Sequence, residues 1–175
     1  MKSSDKQPLT GCVDVDEFVI GGHEEGQPGR SDGKKKKVVI AVEQVKDGIG
    51  RAYARVIEDF SANSFKPFFE KHIDTDANVR TDMWRGYLPL KETYPLLQQE
   101  LSWNGTNFEE IHLVIMNLKG WLRGIHHHCS AQQLQCYLDE FFYRFNRRAF
   151  PKTMLHKLLA RMVNHKPLFL YVKEN

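Results

Sequence analysis

Cysteine is scarce in this chain. Cys12, Cys129 and Cys136 are odd in number, and no two stand in Cys-x-x-Cys spacing. That argues against a disulfide framework and against a zinc finger, and it fits a reducing cytoplasm or nucleoid. No run of about 18 apolar residues occurs, so no membrane-spanning helix is expected. The opening residues, MKSSDKQPLTG, lack the apolar stretch of a signal peptide. Acids are sparse towards the C-terminus. Between Lys119 and Asn175 ten basic residues face only three acids, a net +7, so with +3 over the whole chain the remainder carries −4. An acidic part able to hold metal and a basic part able to hold phosphate suit a protein that works on nucleic acid, although a solvated basic face explains the asymmetry equally well.

Large apolar side chains are plentiful. The 175 residues are 41% hydrophobic and include 11 Phe, 6 Tyr and 3 Trp, enough for one core and one domain. Residues 1–11 read as a tail, 12–150 as the main domain and 151–175 as a helical extension. Val13 to Ile20 reads as a strand, with Val13, Val15, Glu17 and Val19 on one face and Asp14, Asp16, Phe18 and Ile20 on the other. Residues 21–37 are polar and Gly-rich and read as a loop. Val38 to Val45 is a second strand whose apolar run suits a central position. Asp47-Gly48 signals a turn, and Ala52 to Glu58 gives a third strand, completing an antiparallel meander.

Ser61 is the expected N-cap of a helix over 62–72, with Ser64 as an alternative start. Asn78 to Thr81 reads as a short fourth strand ending at Asp82. Pro89 and Pro95 limit residues 84–97 to short helix, and 98–107 reads as a loop. Phe108 to Leu122 is a helix with Ile111, Val114, Ile115, Leu118 and Leu122 on its apolar stripe. Ser130 caps another over 131–146, with Leu134, Leu138, Phe141 and Phe145 facing the core, and Thr153 to Val163 reads as a last helix. This order is that of an α/β, ribonuclease H-like fold: a mixed sheet of three antiparallel strands plus a parallel fourth, with flanking helices. In that fold Asp16 and Asp82 approach each other.

Four segments carry a resemblance: VDVDEFVIGG, RTDMWRGY, IHLVIMNLKGWLRGIHHHCS and QCYLDEFFYRFNRR. In this order they resemble bacterial insertion-sequence transposases of the DDE superfamily, in the group with the ISXO2-like catalytic domain. The resemblance runs from about Cys12 to Arg148. It implies that Asp16 is the first catalytic carboxylate, Asp82 the second, His112 the residue at the third position and Lys119 the lysine seven residues later. His112 departs from an acidic triad. The implied cofactor is Mg²⁺ or Mn²⁺, two ions, with Asp16, Asp82 and His112 as metal ligands. The implied partner is DNA, both transposon ends and target, handled by a homo-oligomer in a bacterial cytoplasm. Transposases of this group usually carry an N-terminal zinc ribbon that recognises transposon ends, and the residues before Cys12 do not resemble one.

The chemistry accounts for these residue types. Two ions roughly 3.5–4 Å apart clamp the attacking and leaving oxygens of a phosphoryl transfer. Magnesium prefers carboxylate oxygen, whereas imidazole is better tolerated by manganese. With His112 in the third place the site carries two negative side chains instead of three, and His112 is equally suited to contact phosphate or shuttle a proton. Residues 112 and 119 are nearly two helical turns apart, so they share a face and Lys119 sits about 10 Å further along. DNA contacts are expected from Lys119, Arg123, Arg144, Arg147 and Arg148.

Other polar residues have plainer readings. Asp14 reads as a solvated residue at the strand start, with a ligand role as the weaker alternative. Glu17 reads as a structural hydrogen-bonder, and Glu109 and Glu110, within one turn of His112, would substitute as ligands only if geometry brought them to the metals. The run Lys34 to Lys37 suits phosphate or protection of a sheet edge. His126, His127, His128 and Cys129 are too close in sequence to surround one zinc ion and read as a turn. Trp84 and Trp121 read as packing residues. Three functions follow: a transposase catalytic domain that cleaves DNA and transfers strands, an inactive, truncated remnant that only binds DNA or partners, or a metal-dependent nuclease that does not transpose.

Overall fold

The computed structural model describes residues 7–21, 35–46, 48–103, 106–126 and 129–165. Strand β1 spans Cys12–Ile20, β2 Lys36–Val45 and β3 Gly48–Ile57. Helix α1 (Ala62–His72) leads into β4 (Asn78–Thr81), and after a 3₁₀ helix over Arg85–Glu92 comes β5 (Gln98–Gln99). Helices α2 (Glu109–Ile125), α3 (Ala131–Phe145) and α4 (Pro151–Asn164) follow. None of the described helices is long and apolar enough to cross a membrane.

The sheet runs in the order β3-β2-β1-β4-β5. β1 and β3 each pair antiparallel with β2, while β4 lies parallel to β1 and β5 parallel to β4. The architecture is α/β, a mixed sheet with flanking helices, compatible with a ribonuclease H-like fold. It has five strands and not four. Residues 98–107, read as loop, contain β5 and a 3₁₀ turn over Thr106–Phe108. Two glutamines carry no apolar signal, and β5 exists only because its backbone pairs with Arg80 and Thr81 of β4.

Alternation along β1 divides the core in two. Val13 and Val15 face a cluster with Phe65, Phe68 and Phe69 of α1 and with Tyr87. Phe18 faces the opposite cluster, built from α2 and α3. In β2 every residue from Val38 to Val42 is buried, as a strand covered on both faces requires. Ser61 caps α1 by accepting the Ser64 N–H, and Ser130 caps α3 by accepting the Gln133 N–H. Among the α3 side chains facing the sheet, Phe142 is buried while Phe141 and Phe145 are partly so, a small rotation from the expected stripe.

Two departures enlarge the domain. Leu9, within the expected tail, is fully buried; its N–H donates to His72 O at 2.7 Å and its carbonyl accepts from Asp74 N at 2.9 Å. The β3 edge is closed by α3. Asn146 Oδ1 accepts from Ala52 N and Asn146 Nδ2 donates to Ala52 O, at 2.8 and 2.9 Å. Gln135 does the same further along, accepting from Val56 N and donating to Ala54 O. Side-chain amides thus satisfy backbone groups that an absent neighbouring strand would have taken.

Candidate active site

The two expected carboxylates stand on neighbouring parallel segments, Asp16 within β1 and Asp82 directly after β4. In the parallel ladder Cys12 stands opposite Asn78, Val13 opposite Val79 and Asp14 opposite Arg80. β4 ends at Thr81, so Asp82 leaves the ladder just past Arg80, on the same side of the Asp14–Arg80 pair as Asp16. Both charges act on the buried hydroxyl of Tyr87, whose acidity is suppressed first by burial, then by Glu17 and by the charges of Asp16 and Asp82.

Asp16 lies in the middle of β1 on the α2 side, its side chain one-fifth exposed at 20%. A carboxylate there needs partners. Its Oδ1 accepts the Glu17 N–H at 2.8 Å, and its Oδ2 lies 3.3 Å from His112 Nε2. Helix α2 places His112 there because Ile111, Val114, Ile115, Leu118 and Leu122 bury the adjoining stripe. The bond to Asp16 raises the His112 pKa, against an opposing effect of burial and with a further upward push from the Asp16 charge. Two turns on, Lys119 Nζ lies 5.1 Å over the Phe18 ring. Burial lowers its pKa, the Asp16 charge acts in the opposite sense, and nearby Arg123 lowers it further. Asp16, His112 and Lys119 therefore form one constellation across the β1–α2 interface.

Asp82 is held by the turn that follows β4. Its Oδ1 accepts the Trp84 N–H at 3.0 Å, and its carbonyl accepts from Thr81 Oγ1 at 3.0 Å and Gln99 Nε2 at 3.1 Å. Gln99 also donates to Trp84 O at 2.9 Å, so β5 pins both ends of the Asp82 turn. Trp84 is a packing residue against the α1-side core, and its Nε1 donates to Phe60 O at 2.7 Å.

The ISXO2-like transposase domain family matches residues 8–146. The chain belongs to that family. No curated protein and no solved structure matches it.

In this transposase domain Asp14 is not the solvated strand-start residue that sequence suggests. It is fully buried, receives Arg80 Nε and Nη2 at 2.7 and 2.8 Å, and accepts Gln44 Nε2 at 2.8 Å. Arg80 also stacks on Phe108, 5.5 Å from the ring centre. Arg80 and Gln44 escaped sequence reasoning, yet a signal was present: Asp-x-Asp on β1 and Arg-x-Asp at the end of β4 have matched spacing, and the register pairs Asp14 with Arg80. Glu17 is the structural residue expected of it, buried on the opposite face and accepting the Tyr87 hydroxyl. Tyr87 also went unnoticed, and its place in the RTDMWRGY string was the available clue.

The transposase's other basic residues lie apart from the carboxylates. Arg123 is exposed on α2, its Nε 3.4 Å from Lys119 O. Arg144 pairs with Glu140 one turn back. Arg147 stacks on Tyr143 at 4.0 Å and donates to its carbonyl. Arg148 stacks on Phe145 at 4.1 Å and donates to the carbonyls of Ile49 and Gly50, beside the β3 edge. His126 stacks flat on Tyr137 at 3.7 Å and edge-on to Trp121, which makes it a packing residue. Its neighbours His127 and His128, with Lys34 and Asp47, lie outside the described residues. Glu109 and Glu110 are exposed on the first turn of α2.

Among the described residues no three His, Cys, Asp or Glu side chains are gathered into a ready metal cluster. The donor chemistry of Asp16 and Asp82 nevertheless fits a hard divalent ion, which takes one or two protein carboxylates and completes its shell with water and phosphate. His112 Nε2 lies 3.3 Å from Asp16 Oδ2, within reach of an ion that Asp16 would hold.

Proposed function

We propose that this domain is the catalytic part of an insertion-sequence transposase, cleaving DNA strands at element ends and joining them to target DNA. The observation that supports the reading is the contact of His112 with Asp16 on β1, beside the parallel strand β4 that leads directly into Asp82. Asp16 and Asp82 would hold the divalent ions, Mg²⁺ or Mn²⁺, with His112 the third and weakest ligand. Bound there, such ions supply charge neutralisation at the scissile phosphate and make water more acidic.

The residues themselves do the positioning. In hydrolysis a water oxygen attacks phosphorus, the bond from phosphorus to the 3′ oxygen breaks, and that oxygen takes up a proton to become a 3′ hydroxyl. In joining, the 3′ hydroxyl attacks a target phosphodiester, a new phosphorus–oxygen bond forms and the target strand leaves as its own 3′ hydroxyl. His112, its pKa raised beside Asp16, is suited when charged to a phosphate oxygen and when neutral to the proton released on attack. Lys119 and Arg123 on the same helix supply cations further along the DNA backbone. Arg144 near the end of α3, with Arg147 and Arg148 just past it, would extend the positive charge and contact phosphate beyond the site.

The test is cleavage and strand transfer on DNA carrying the element's ends, in Mg²⁺ and Mn²⁺, with wild type, Asp16→Ala, Asp82→Ala and His112→Glu compared. Metal-dependent activity that disappears in both alanine variants supports the reading. Activity only in His112→Glu means an intact scaffold whose third ligand is disabled. DNA binding without cleavage in all four proteins gives the remnant reading the advantage.

A further inference from the structure

A cavity of about 490 Å³ opens beside the turn that carries Asp82. Its size falls in the range of small-ligand pockets. Phe60, Trp84 and Pro89 give it apolar and aromatic walls, and Lys37 and Arg85 stand at its lining. The pocket is tied to the candidate active site through one residue, since Trp84 N donates to Asp82 Oδ1 and Trp84 Nε1 to Phe60 O.

The polar groups around the cavity are of both signs. Lys37 Nζ lies 5.8 Å over the Phe60 ring. Arg85 is exposed and makes no ion pair or hydrogen bond among the described residues. Asp59 is a carboxylate whose Oδ1 accepts Ser61 N, Ser61 Oγ and Ser64 Oγ at 2.9, 2.5 and 2.6 Å. Those bonds hold Asp59 ionised down to about pH 2. A bare phosphate would meet this negative charge at close quarters. A ligand with an aromatic ring, an amino edge and a phosphate satisfies every wall at once. A base stacked in a duplex has both faces covered by its neighbours, whereas one extruded base has a face free for Phe60, Trp84 and Pro89.

We propose that this cavity receives one unpaired nucleotide of the DNA strand held at Asp16 and Asp82, its base against Phe60, Trp84 and Pro89, its amino edge on Asp59 and its phosphate on Lys37 and Arg85. The proposal rests on the transposase reading above. It assigns the domain a selective site for strands that are already frayed or opened next to the scissile phosphate. Trp84 would link the two events, because a base settling against its indole bears on the residue whose N–H holds the Asp82 carboxylate.

The experiment measures equilibrium binding by the full chain without divalent metal, so that no cleavage intervenes. Three labelled duplexes are compared: blunt, with a one-adenosine 3′ overhang, and with an abasic overhang. Wild type should bind the adenosine overhang about tenfold tighter than the abasic one, the gain expected from one stacked base. Ala62→Leu, which places a larger side chain in the cavity lining at the start of α1, should abolish that difference and leave blunt-duplex binding unchanged. Arg85→Ala should lower overhang binding about threefold relative to blunt duplex, and it serves if Ala62→Leu fails to fold. Equal binding of adenosine and abasic overhangs by wild type, with blunt duplex still bound, overturns the cavity proposal and leaves the transposase reading standing. A difference that survives in both variants overturns it as well. Failure of wild type to bind any DNA overturns both.

Discussion

Replacing Arg80 by alanine should cost more than any other single change on the β4 surface. Asp14 is wholly buried, and Arg80 gives it two hydrogen bonds, at 2.7 and 2.8 Å, of the three it receives. Removing one partner of a buried pair costs about 3–5 kcal/mol because the other charge is left uncompensated. The Arg80 side chain is itself 33% exposed. Water can therefore enter the space it vacates, which sets the expected loss near the lower end, about 3 kcal/mol. For a chain of this size that is a fall in melting temperature of about 6–12 °C. Urea and thermal unfolding followed by circular dichroism measure both quantities. The double variant Asp14→Leu, Arg80→Met removes the charges together and should recover most of the loss. Because the pair lies two residues before each site carboxylate, the recovered double variant should still cleave DNA at least tenfold more slowly. A loss below about 1 kcal/mol for Arg80→Ala, or a double variant no more stable than the single, would refute the argument that Asp14 depends on this arginine.

Other expectations concern the surroundings of the same site and the sheet edge. Tyr87→Phe removes the hydroxyl that donates to Glu17 and should cost about 1–2 kcal/mol in chemical unfolding. Asn146→Ala strips two hydrogen bonds from Ala52 and should cost about 1–3 kcal/mol, with light scattering rising on storage as the β3 edge opens. In the ion-free protein His112 should titrate above 6.5, and Asp16→Asn should bring its NMR midpoint down. The sign follows from a folded pKa that is raised: the stability from the His112–Asp16 contact is present in full below about pH 6.5 and lost as pH climbs through the folded value. A wild-type midpoint at or below that of Asp16→Asn would contradict the 3.3 Å contact.

Much of the scaffold was legible because burial leaves a period in the sequence. The alternation of Val13, Asp14, Val15 and Asp16 announces both the strand and its two faces, and Ser61 and Ser130 mark helix starts by their side-chain oxygens. What escaped was held by partners distant in sequence. Gln98 and Gln99 become a strand only through the backbone of β4, and Gly48 to Arg51 join β3 through pairing with β2 past a register shift between Val42 and Gln44. Leu9 seemed part of a tail because one apolar residue among polar ones carries no period. Asp16, Asp82, His112 and Lys119 came from the family resemblance, and the geometry around them adds Arg80, Tyr87 and Gln99, of which only Gln99 has no clue in its local sequence.

The two ends of the sheet have a bearing on how copies of this domain can meet. At one end α3 has already filled the hydrogen-bonding positions of β3 with the amides of Asn146 and Gln135. At the other, β5 is two residues long and offers almost no backbone to template a further strand. Growth of a continuous sheet from one molecule into the next is thereby discouraged at both margins. Were copies to gather on DNA ends, as the proposed function requires, they would meet through side chains on helices and turns and not through a shared sheet.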